Sequence, residues 1–419
     1  MPFYVPLKYS SNKDFAPRAV DRLIDLRAGL DAEIPAKTAT DTLLLATWNI
    51  RDFDSNKFGQ GPRIPESYYY IAEIISSFDL IAVQEVNEDL TPLKKVVKIL
   101  GKDNWDFIVT DMTEKDLGGN GERLAYIYDK RKILFRNIAG EIVLGYRDQI
   151  KGRKSTIELP EEHEIEFTEN SELTLPNGQK ISFNKGEKIN LEVGKHKIDL
   201  PEGQEIYQQR QFARTPFLVS FQSGWFKFNL CTVHLYYGSS SGVGKDRRIR
   251  EIDKLCGYLK KRSLKDGENY IMLGDFNIVS PSDDTFKPLK KHGFTVPQGV
   301  YKSNLKGDMY YDQIAFRVQK DHLQLGDSQP NSGVFDFSKY VFKDDELDVY
   351  HDLMQNTNVR DFHDKGRKKG QPRTHEEKAV YYRNNWRTWQ MSDHLLLWVE
   401  LKVDFSNQYL DKLKTRLAT

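Results

Sequence analysis

Ionisable and amide side chains stand beside four apolar runs of this sequence, where strands of a sheet would begin or end. A charge in an apolar setting is costly unless it is paired or bound to a metal. Sheet proteins also place their binding and catalytic groups at strand ends. The segments predict one site built from acids, amides and imidazole; they are Leu43–Ile50, Leu80–Glu85, Ile271–Asn277 and Ser392–Leu397.

The residue types favour a hard divalent cation, because carboxylate and amide oxygens are the ligands that Mg²⁺ and Mn²⁺ prefer. Glu85 closes an apolar strand and is the first candidate for a metal ligand. Asn49 is neutral and is suited to share the metal shell. Asp275 and Asn277 are two residues apart on an extended segment, so both side chains are expected on one side of it.

Six short blocks, in this order along the chain, resemble the signature of the endonuclease/exonuclease/phosphatase superfamily, and most of all its deoxyribonuclease I-like members. The similarity runs from about Leu43 to Leu401 with one insertion. It implies a four-layered α/β sandwich, in which two mixed sheets pack face to face between helices. The blocks are Trp48-Asn49-Ile50-Arg51, Gln84-Glu85-Val86, Thr232-Val233-His234-Leu235, Gly274-Asp275-Phe276-Asn277, Tyr311-Asp312-Gln313-Ile314 and Ser392-Asp393-His394.

The resemblance also implies roles for the residues of these blocks. Asp393 would complete the metal site of Glu85 and Asn49, directly or through water. Asp275 would orient or deprotonate the attacking water, and Asn277 would hold the phosphate or a metal-bound water. Two acid–histidine pairs would flank the scissile phosphate, namely His394 with Asp312 and His234 with Glu122.

The function that this resemblance implies is a phosphodiesterase dependent on Mg²⁺ or Mn²⁺, and keeping both acid–histidine pairs favours a nuclease that cuts DNA. A phosphomonoesterase, or a lipid or inositol phosphate phosphodiesterase, is the alternative, because a fold does not fix the substrate. The Trp-Asp-Arg block of inositol polyphosphate phosphatases is replaced here by Tyr311-Asp312-Gln313. A catalytically idle binding protein is a third hypothesis, which the intact set of acids and histidines disfavours.

The composition gives expectations about the hydrophobic core and the cellular compartment of the protein. The 419 residues have a net charge of +1 and 39% hydrophobic content, which is enough for one large core or two smaller ones. We expect a cytoplasmic protein, because the sequence shows no apolar run of membrane-spanning length and no secretory signal. We expect Cys231 and Cys256 to be buried free thiols.

The chain divides into a helical N-terminal extension, residues 1–42, and a catalytic domain, residues 43–419, which an insertion at 151–206 interrupts. The insertion alternates apolar and polar residues at period two, which predicts a small all-β unit. Between Ser155 and Ile206, 12 Asp or Glu residues against 5 Lys residues give a net charge of −7, so the remainder carries +8. The insertion is therefore a candidate for a protein partner, and the basic remainder for a nucleic acid.

Two helices carry specific expectations. Residues 14–30 form an amphipathic helix with Val20, Leu23, Ile24 and Leu30 on its buried face. Residues 246–262 form a second helix, whose Arg247 and Arg248 are expected on a solvated outer face. The basic segment 364–370 is expected to be a loop close to the active edge.

Overall fold

The computed structural model describes residues 2–9, 15–53, 62–113, 121–145, 150–154, 156–159, 163–174, 180–191, 194–197, 206–296, 301–317, 323–357 and 373–418. Two mixed β-sheets pack face to face, and helices cover their outer sides. The protein therefore has the α/β sandwich fold that the sequence predicts. The basic segment 364–370 lies outside the described residues.

The strands, numbered in chain order, are β1 (Thr42–Phe53), β2 (Leu80–Val86), β3 (Trp105–Val109), β4 (Arg123–Asp129), β5 (Leu134–Glu141), β6 (Ile150–Lys154), β7 (Thr156–Leu159), β8 (His163–Glu166), β9 (Ser171–Thr174), β10 (Lys180–Phe183), β11 (Lys188–Leu191), β12 (Gly194–Lys197), β13 (Ile206–Arg210), β14 (Phe217–Ser223), β15 (Phe226–His234), β16 (Asn269–Asp275), β17 (Asp312–Arg317), β18 (Ser332–Phe335) and β19 (Leu396–Lys402).

The helices are α1 (Val5–Lys8), α2 (Phe15–Glu33), α3 (Pro65–Ser76), α4 (Thr91–Leu100), α5 (Gly242–Asp266), α6 (Lys287–Lys291), α7 (Leu347–Thr357), α8 (His375–Tyr381), α9 (Arg387–Gln390) and α10 (Ser406–Leu417). A π-helical turn (Tyr382–Trp386) joins α8 to α9, and two short 3₁₀ turns lie at Asp284–Phe286 and Phe337–Lys339.

The side-chain alternation of β1 explains how the layers stack. Leu43 and Leu45 contribute to the core between the two sheets, whereas Leu44, Ala46 and Trp48 pack under the helices outside the first sheet. Successive side chains of a strand point to opposite faces. A strand that is buried on both faces therefore reads as a continuous apolar run. A third core fills the space between the second sheet and helix α5.

Strand direction brings the predicted site residues to one end of both sheets. The first sheet has the order β18-β19-β1-β2-β4-β3 and the second the order β17-β16-β15-β14-β5. β1 runs parallel to β2, and β15 runs parallel to β16, so the two strands of each pair end together. A hydrogen bond from Asn49 of β1 to Asp275 of β16 shows that the two pairs end on the same side of the sandwich. β17 and β19 run antiparallel to their neighbours β16 and β1, and therefore begin there.

The described residues from β6 to β13 form four pairs of strands, which we call the ribbon. β6 pairs with β13, β7 with β12, β8 with β11, and β9 with β10, and each pair is antiparallel. The pairs are nested along the chain, and Phe167 stacks on Phe183 with ring centroids 4.1 Å apart. The ribbon leaves the second sheet after β5 and returns to it at β14, so both flanking strands remain part of the sandwich.

Helix α2 exists as expected, but its buried face is partly different. The buried stripe includes Ala19, Leu23, Leu26 and Leu30, which follow helical spacing. Val20 and Ile24 are 41% and 62% exposed, so their predicted burial is wrong. The buried face is the one that packs against α3.

In the first turns of α5, Arg247 and Arg248 are buried. The prediction that they lie on a solvated outer face is therefore wrong. Nε of Arg247 lies 3.0 Å from Oε1 of Glu251, one turn further along the helix. The guanidinium of Arg248 lies over the ring of Tyr237 and donates to the main-chain oxygen of the same residue. The loop after β15 thus covers a face that periodicity alone assigns to solvent.

Two predictions of a simpler kind can be compared with the structure. Cys231 and Cys256 are buried free thiols, as expected. Within the described ranges, no helix combines the length and the apolar character needed to cross a membrane.

Candidate active site

The centre of the site is an irregularity between β1 and β2, where the strand register shifts after Asn49. Glu85 adopts a φ of 60°, which L-residues rarely accept. The bulge turns its carboxylate toward Asn49, whose Nδ2 donates to Oε1 at 3.0 Å. The main-chain N–H of Asp52 donates to Oε2 at 2.8 Å. Bulges and unusual backbone angles of this kind occur where a strand must aim a functional side chain.

Asn49 also links the two sheets across the sandwich. The same Nδ2 atom donates to Oδ2 of Asp275 at 3.1 Å, so one amide contacts a carboxylate from each sheet. The close approach of β16 to β15 depends on Gly274, which has a φ of 131°. A Cβ atom there would lie 2.2 Å from the main-chain oxygen of Val233, so only glycine fits this position.

The first acid–histidine pair consists of His234 and Glu122, with Arg214 behind them. Nδ1 of His234 donates to Oε2 of Glu122 at 2.7 Å. Arg214 holds the same carboxylate with two hydrogen bonds of 2.9 Å each. A carboxylate only accepts hydrogen bonds, so the contact fixes the proton on Nδ1 and leaves Nε2 directed at the site. Nε2 lies 3.5 Å from Oδ2 of Asp275 and 4.0 Å from Oε1 of Glu85.

The electrostatics of this first pair follow from its three charges. Burial alone would raise the pKa of Glu122, but His234 and Arg214 outweigh it and hold that pKa well below its usual range. Burial and the nearby Arg214 both lower the pKa of His234, whereas the Glu122 carboxylate raises it. The balance leaves the pKa of His234 above its ordinary value.

The second pair consists of His394 and Asp312, with a serine in place of the arginine. Nδ1 of His394 donates to Oδ2 of Asp312 at 2.8 Å. Ser303 donates its hydroxyl to the same oxygen at 2.7 Å and accepts from the main-chain N–H of Asp312 at 2.9 Å. Nε2 of His394 lies 3.8 Å from Oδ2 of Asp275, which the first histidine also faces.

Burial dominates the ionisation of this second carboxylate. Desolvation raises the pKa of Asp312, and the favourable charge of His394 only partly offsets it. Burial also disfavours a charged His394, but the Asp312 and Asp275 carboxylates outweigh that effect and raise the pKa of the imidazole well above its ordinary value. The two histidines therefore face one carboxylate from different electrostatic surroundings.

Asn277 and Asp393 complete the predicted set. The main-chain N–H of Asn277 donates to Oδ1 of Asp275 at 2.8 Å, and its side-chain amide donates to the main-chain oxygen of Leu235 at 2.7 Å. Asp393 is half-buried directly before His394, and its charge is among the causes that raise the pKa of Glu85, after burial and Glu122.

The site residues that the structure describes are better suited to bind a hard divalent cation than to enclose a softer metal. Oδ1 of Asn49 is buried without a hydrogen-bond partner, next to the partly exposed carboxylate of Glu85. An orphaned amide oxygen beside a carboxylate fits an oxygen-preferring ion that keeps some of its waters. Among the residues that the structure describes, no group of three or more His, Cys, Asp or Glu side chains is arranged as a metal cluster.

Sequence reasoning missed the residues that support the two pairs. Arg214 precedes β14 and Ser303 lies nine residues before Asp312, and neither position belongs to one of the six blocks. Ser392 is a third case: its hydroxyl donates to the main-chain oxygen of Asn49 at 2.6 Å and accepts from the N–H of His394 at 2.9 Å. It lies inside a recognised block, but only the structure shows what it contacts.

The chain is similar in fold to solved endonuclease/exonuclease/phosphatase family proteins. One, from Bacteroides thetaiotaomicron, has 15% identity and a TM-score of 0.42, covering 87% of this chain and 96% of that protein. A mannosyl-6-phosphatase of the same organism has 15% identity and a TM-score of 0.41, with coverages of 86% and 99%. TDP2 of D. rerio, complexed with a single-strand DNA product, has 10% identity and a TM-score of 0.42, with coverages of 86% and 98%.

No protein-family model and no curated protein matches the sequence.

Proposed function

We propose that this protein is a divalent-metal-dependent phosphodiesterase that hydrolyses DNA. The observation that carries the proposal is the convergence of two carboxylate-backed imidazoles on one further carboxylate. Nε2 of His234 and Nε2 of His394 lie 3.5 Å and 3.8 Å from the same Oδ2 atom of Asp275. A phosphate bound between the imidazoles would have a proton acceptor beside it and a cationic donor on each flank.

In this proposal the chain's own residues perform the proton transfers. Asp275 accepts a proton from the attacking water as the new P–O bond forms, and Asn277 holds Oδ1 of Asp275 so that Oδ2 faces the substrate. One imidazolium gives its proton to the leaving oxygen as the other P–O bond breaks. A Mg²⁺ or Mn²⁺ ion held by Glu85, Asn49 and Asp393 supplies charge neutralisation at the phosphate when it is bound.

DNA is the proposed substrate for two reasons. The pairing of both histidines with acids is the feature of the sequence that favours the deoxyribonuclease I-like members over the rest of the superfamily. The chain outside the insertion also carries a net charge of +8, which favours a polyanionic partner. The alternative is hydrolysis of a phosphomonoester, or of a lipid or inositol phosphate, because neither the carboxylates nor the histidines select the group attached to the phosphate. The free buried thiols fit a reducing, cytoplasmic setting.

A substrate panel tests the proposal. Purified protein would be incubated with supercoiled plasmid, single-stranded DNA, RNA and a set of phosphoinositides, each with and without Mg²⁺. We expect Mg²⁺-dependent cleavage of DNA. Release of inorganic phosphate from the phosphoinositides, with DNA left intact, would contradict the DNA assignment and favour the alternative.

The ribbon between β6 and β13 is proposed to bind a protein partner or to restrict access to the site. Its net charge of −7 between Ser155 and Ile206 makes it a poor surface for a phosphate backbone, which is bound by Lys and Arg. Replacing residues 155–205 with a short Gly/Ser linker should leave folding intact and DNA cleavage equal or broader. Loss of DNA binding by a folded variant would contradict this role.

A further inference from the structure

A polar cavity of about 460 Å³ opens beside the second acid–histidine pair. His394 and Asp393 form part of its wall, so a group bound there lies next to the phosphate that the proposed reaction cleaves. The ring of Tyr311 faces the imidazole of His394 with centroids 5.6 Å apart and forms another part of the wall. The volume is that of a pocket for one small group and not for a long strand.

The charged side chains that line this cavity differ in whether they have a partner. Three acidic residues line it: Asp344 accepts a hydrogen bond from Arg387, Asp308 accepts one from the side-chain amide of Asn304, and Asp393 is the proposed metal ligand. Lys306 and Arg383 also line the cavity, and within the described part of the chain neither side chain has a hydrogen-bond or ion-pair partner. Two cations therefore remain available to a ligand in a pocket that adjoins the site.

The segment that presents Arg383 has an unusual backbone. Arg383 and Asn384 lie in the π-helical turn between α8 and α9. The turn is held by Tyr382, which is buried, donates its hydroxyl to the main-chain oxygen of Lys343 at 2.9 Å, and stacks with Trp386. Single π-helical turns are rare, and they frequently lie at functional sites. Here the turn places a cationic and an amide side chain at the cavity wall.

We infer that this cavity binds a second phosphate group of the substrate, adjacent to the phosphodiester that is cleaved. The preferred substrate class is then a nucleic acid strand whose end carries a phosphate, held by Arg383 and Lys306. A terminal phosphate carries more negative charge than an internal phosphodiester and matches two unpaired cations better. This inference rests on the proposed phosphodiesterase function and deepens it.

The test compares three substrates with the wild-type protein in Mg²⁺. Two are oligonucleotides of one sequence, one with phosphorylated ends and one with hydroxyl ends, and the third is bis(p-nitrophenyl) phosphate, which has no second phosphate. We expect kcat/KM to be about 10-fold higher for the phosphorylated oligonucleotide, the size of one charge-assisted contact. Equal values for the two oligonucleotides would overturn the inference and leave the proposed function intact.

Single substitutions test whether the preference for the phosphorylated oligonucleotide depends on the cavity. Arg383→Ala and Lys306→Ala should each abolish most of the preference for the phosphorylated oligonucleotide, and Arg383→Lys should retain part of it. Lys412→Ala, on the remote helix α10, should keep the wild-type preference. Variants that lose activity equally on all three substrates would overturn the inference, because a selective contact would be missing. Failure of the wild type to hydrolyse any of the three substrates would overturn the proposed function as well.

Discussion

The two acid–histidine pairs have nearly the same geometry, but a different group stands behind each carboxylate. The imidazole–carboxylate distances are 2.7 Å for His234 with Glu122 and 2.8 Å for His394 with Asp312. Behind the first acid lies the Arg214 guanidinium, with two hydrogen bonds, whereas behind the second lies only a serine hydroxyl.

This difference shifts the pKa values of the two imidazoles unequally. Arg214 keeps Glu122 ionised and at the same time lowers the pKa of His234, against the raising effect of Glu122. At His394 no arginine opposes the carboxylates among the main causes, and the pKa rises well above its ordinary value. We therefore interpret His394 as the more constant positive charge at the phosphate and His234 as the more readily deprotonated partner.

The largest effect is expected from removing either imidazole. His234→Ala and His394→Ala should each lower kcat for DNA by at least ~100-fold, because each removes a donor that acts at the phosphate. His292 offers a matched control, since it pairs with Asp253 at 2.9 Å outside the site, and His292→Ala should keep wild-type kcat. A folded His234→Ala or His394→Ala variant with wild-type kcat would contradict the assignment.

A smaller effect on rate is expected from Arg214→Met, which removes the group that distinguishes the first pair. Glu122 would lose two hydrogen bonds while it still holds His234, and kcat should fall about 10-fold. Breaking a buried ion pair also costs about 3 kcal/mol of folding stability. Arg18→Met is the matched control, because Arg18 holds the buried Glu66 with bonds of 2.9 and 2.8 Å on helices outside the site.

The two arginine variants separate catalysis from stability. Both should lower the midpoint of urea unfolding, but only Arg214→Met should lower kcat and change its pH dependence. If Arg18→Met lowers kcat by the same factor, the effect of Arg214 is structural and not specific to the first pair.

The smallest effect is a displacement of the pH–rate profile in Asp312→Asn. A histidine with a raised pKa is charged below that pKa and loses its charge as the pH rises through it. Asp312 is the main cause that raises the pKa of His394, so its removal should move the alkaline limb of kcat/KM to lower pH. The profile would be measured at saturating Mg²⁺. An alkaline limb at the wild-type position would contradict the role given to His394.

The candidate site residues that lie at strand ends could be predicted from the sequence. Asn49, Glu85 and Asp275 each interrupt or end an apolar run, and the fold confirms that these strands end together. A strand that is buried on both faces is a nearly continuous apolar run, so a polar residue within it or at its end stands out in the sequence. The ribbon is recognisable for a different reason: alternate side chains of a strand with one exposed face are polar, as in β10, where Ile181 and Phe183 are buried and their neighbours are exposed.

Residues that act from loops could not be read in this way. Arg214 and Ser303 reach the pairs from segments without periodicity, so only tertiary packing reveals them. The burial of Arg248 depends on Tyr237, whose loop position is not encoded in the helix pattern of α5. The π-helical turn that carries Arg383 was equally unpredicted, because one extra residue in a helix leaves no distinct composition.

The most direct test of the account is the metal dependence of the wild type and of Glu85→Gln, measured as the rate of plasmid cleavage over a Mg²⁺ titration. The substitution keeps the side-chain shape but removes the charge that would hold the cation beside Asn49. We predict that excess EDTA abolishes wild-type cleavage, that Mg²⁺ or Mn²⁺ restores it, and that Glu85→Gln is at least ~100-fold slower. Full wild-type cleavage in excess EDTA, or a wild-type rate in Glu85→Gln, would contradict the central claim.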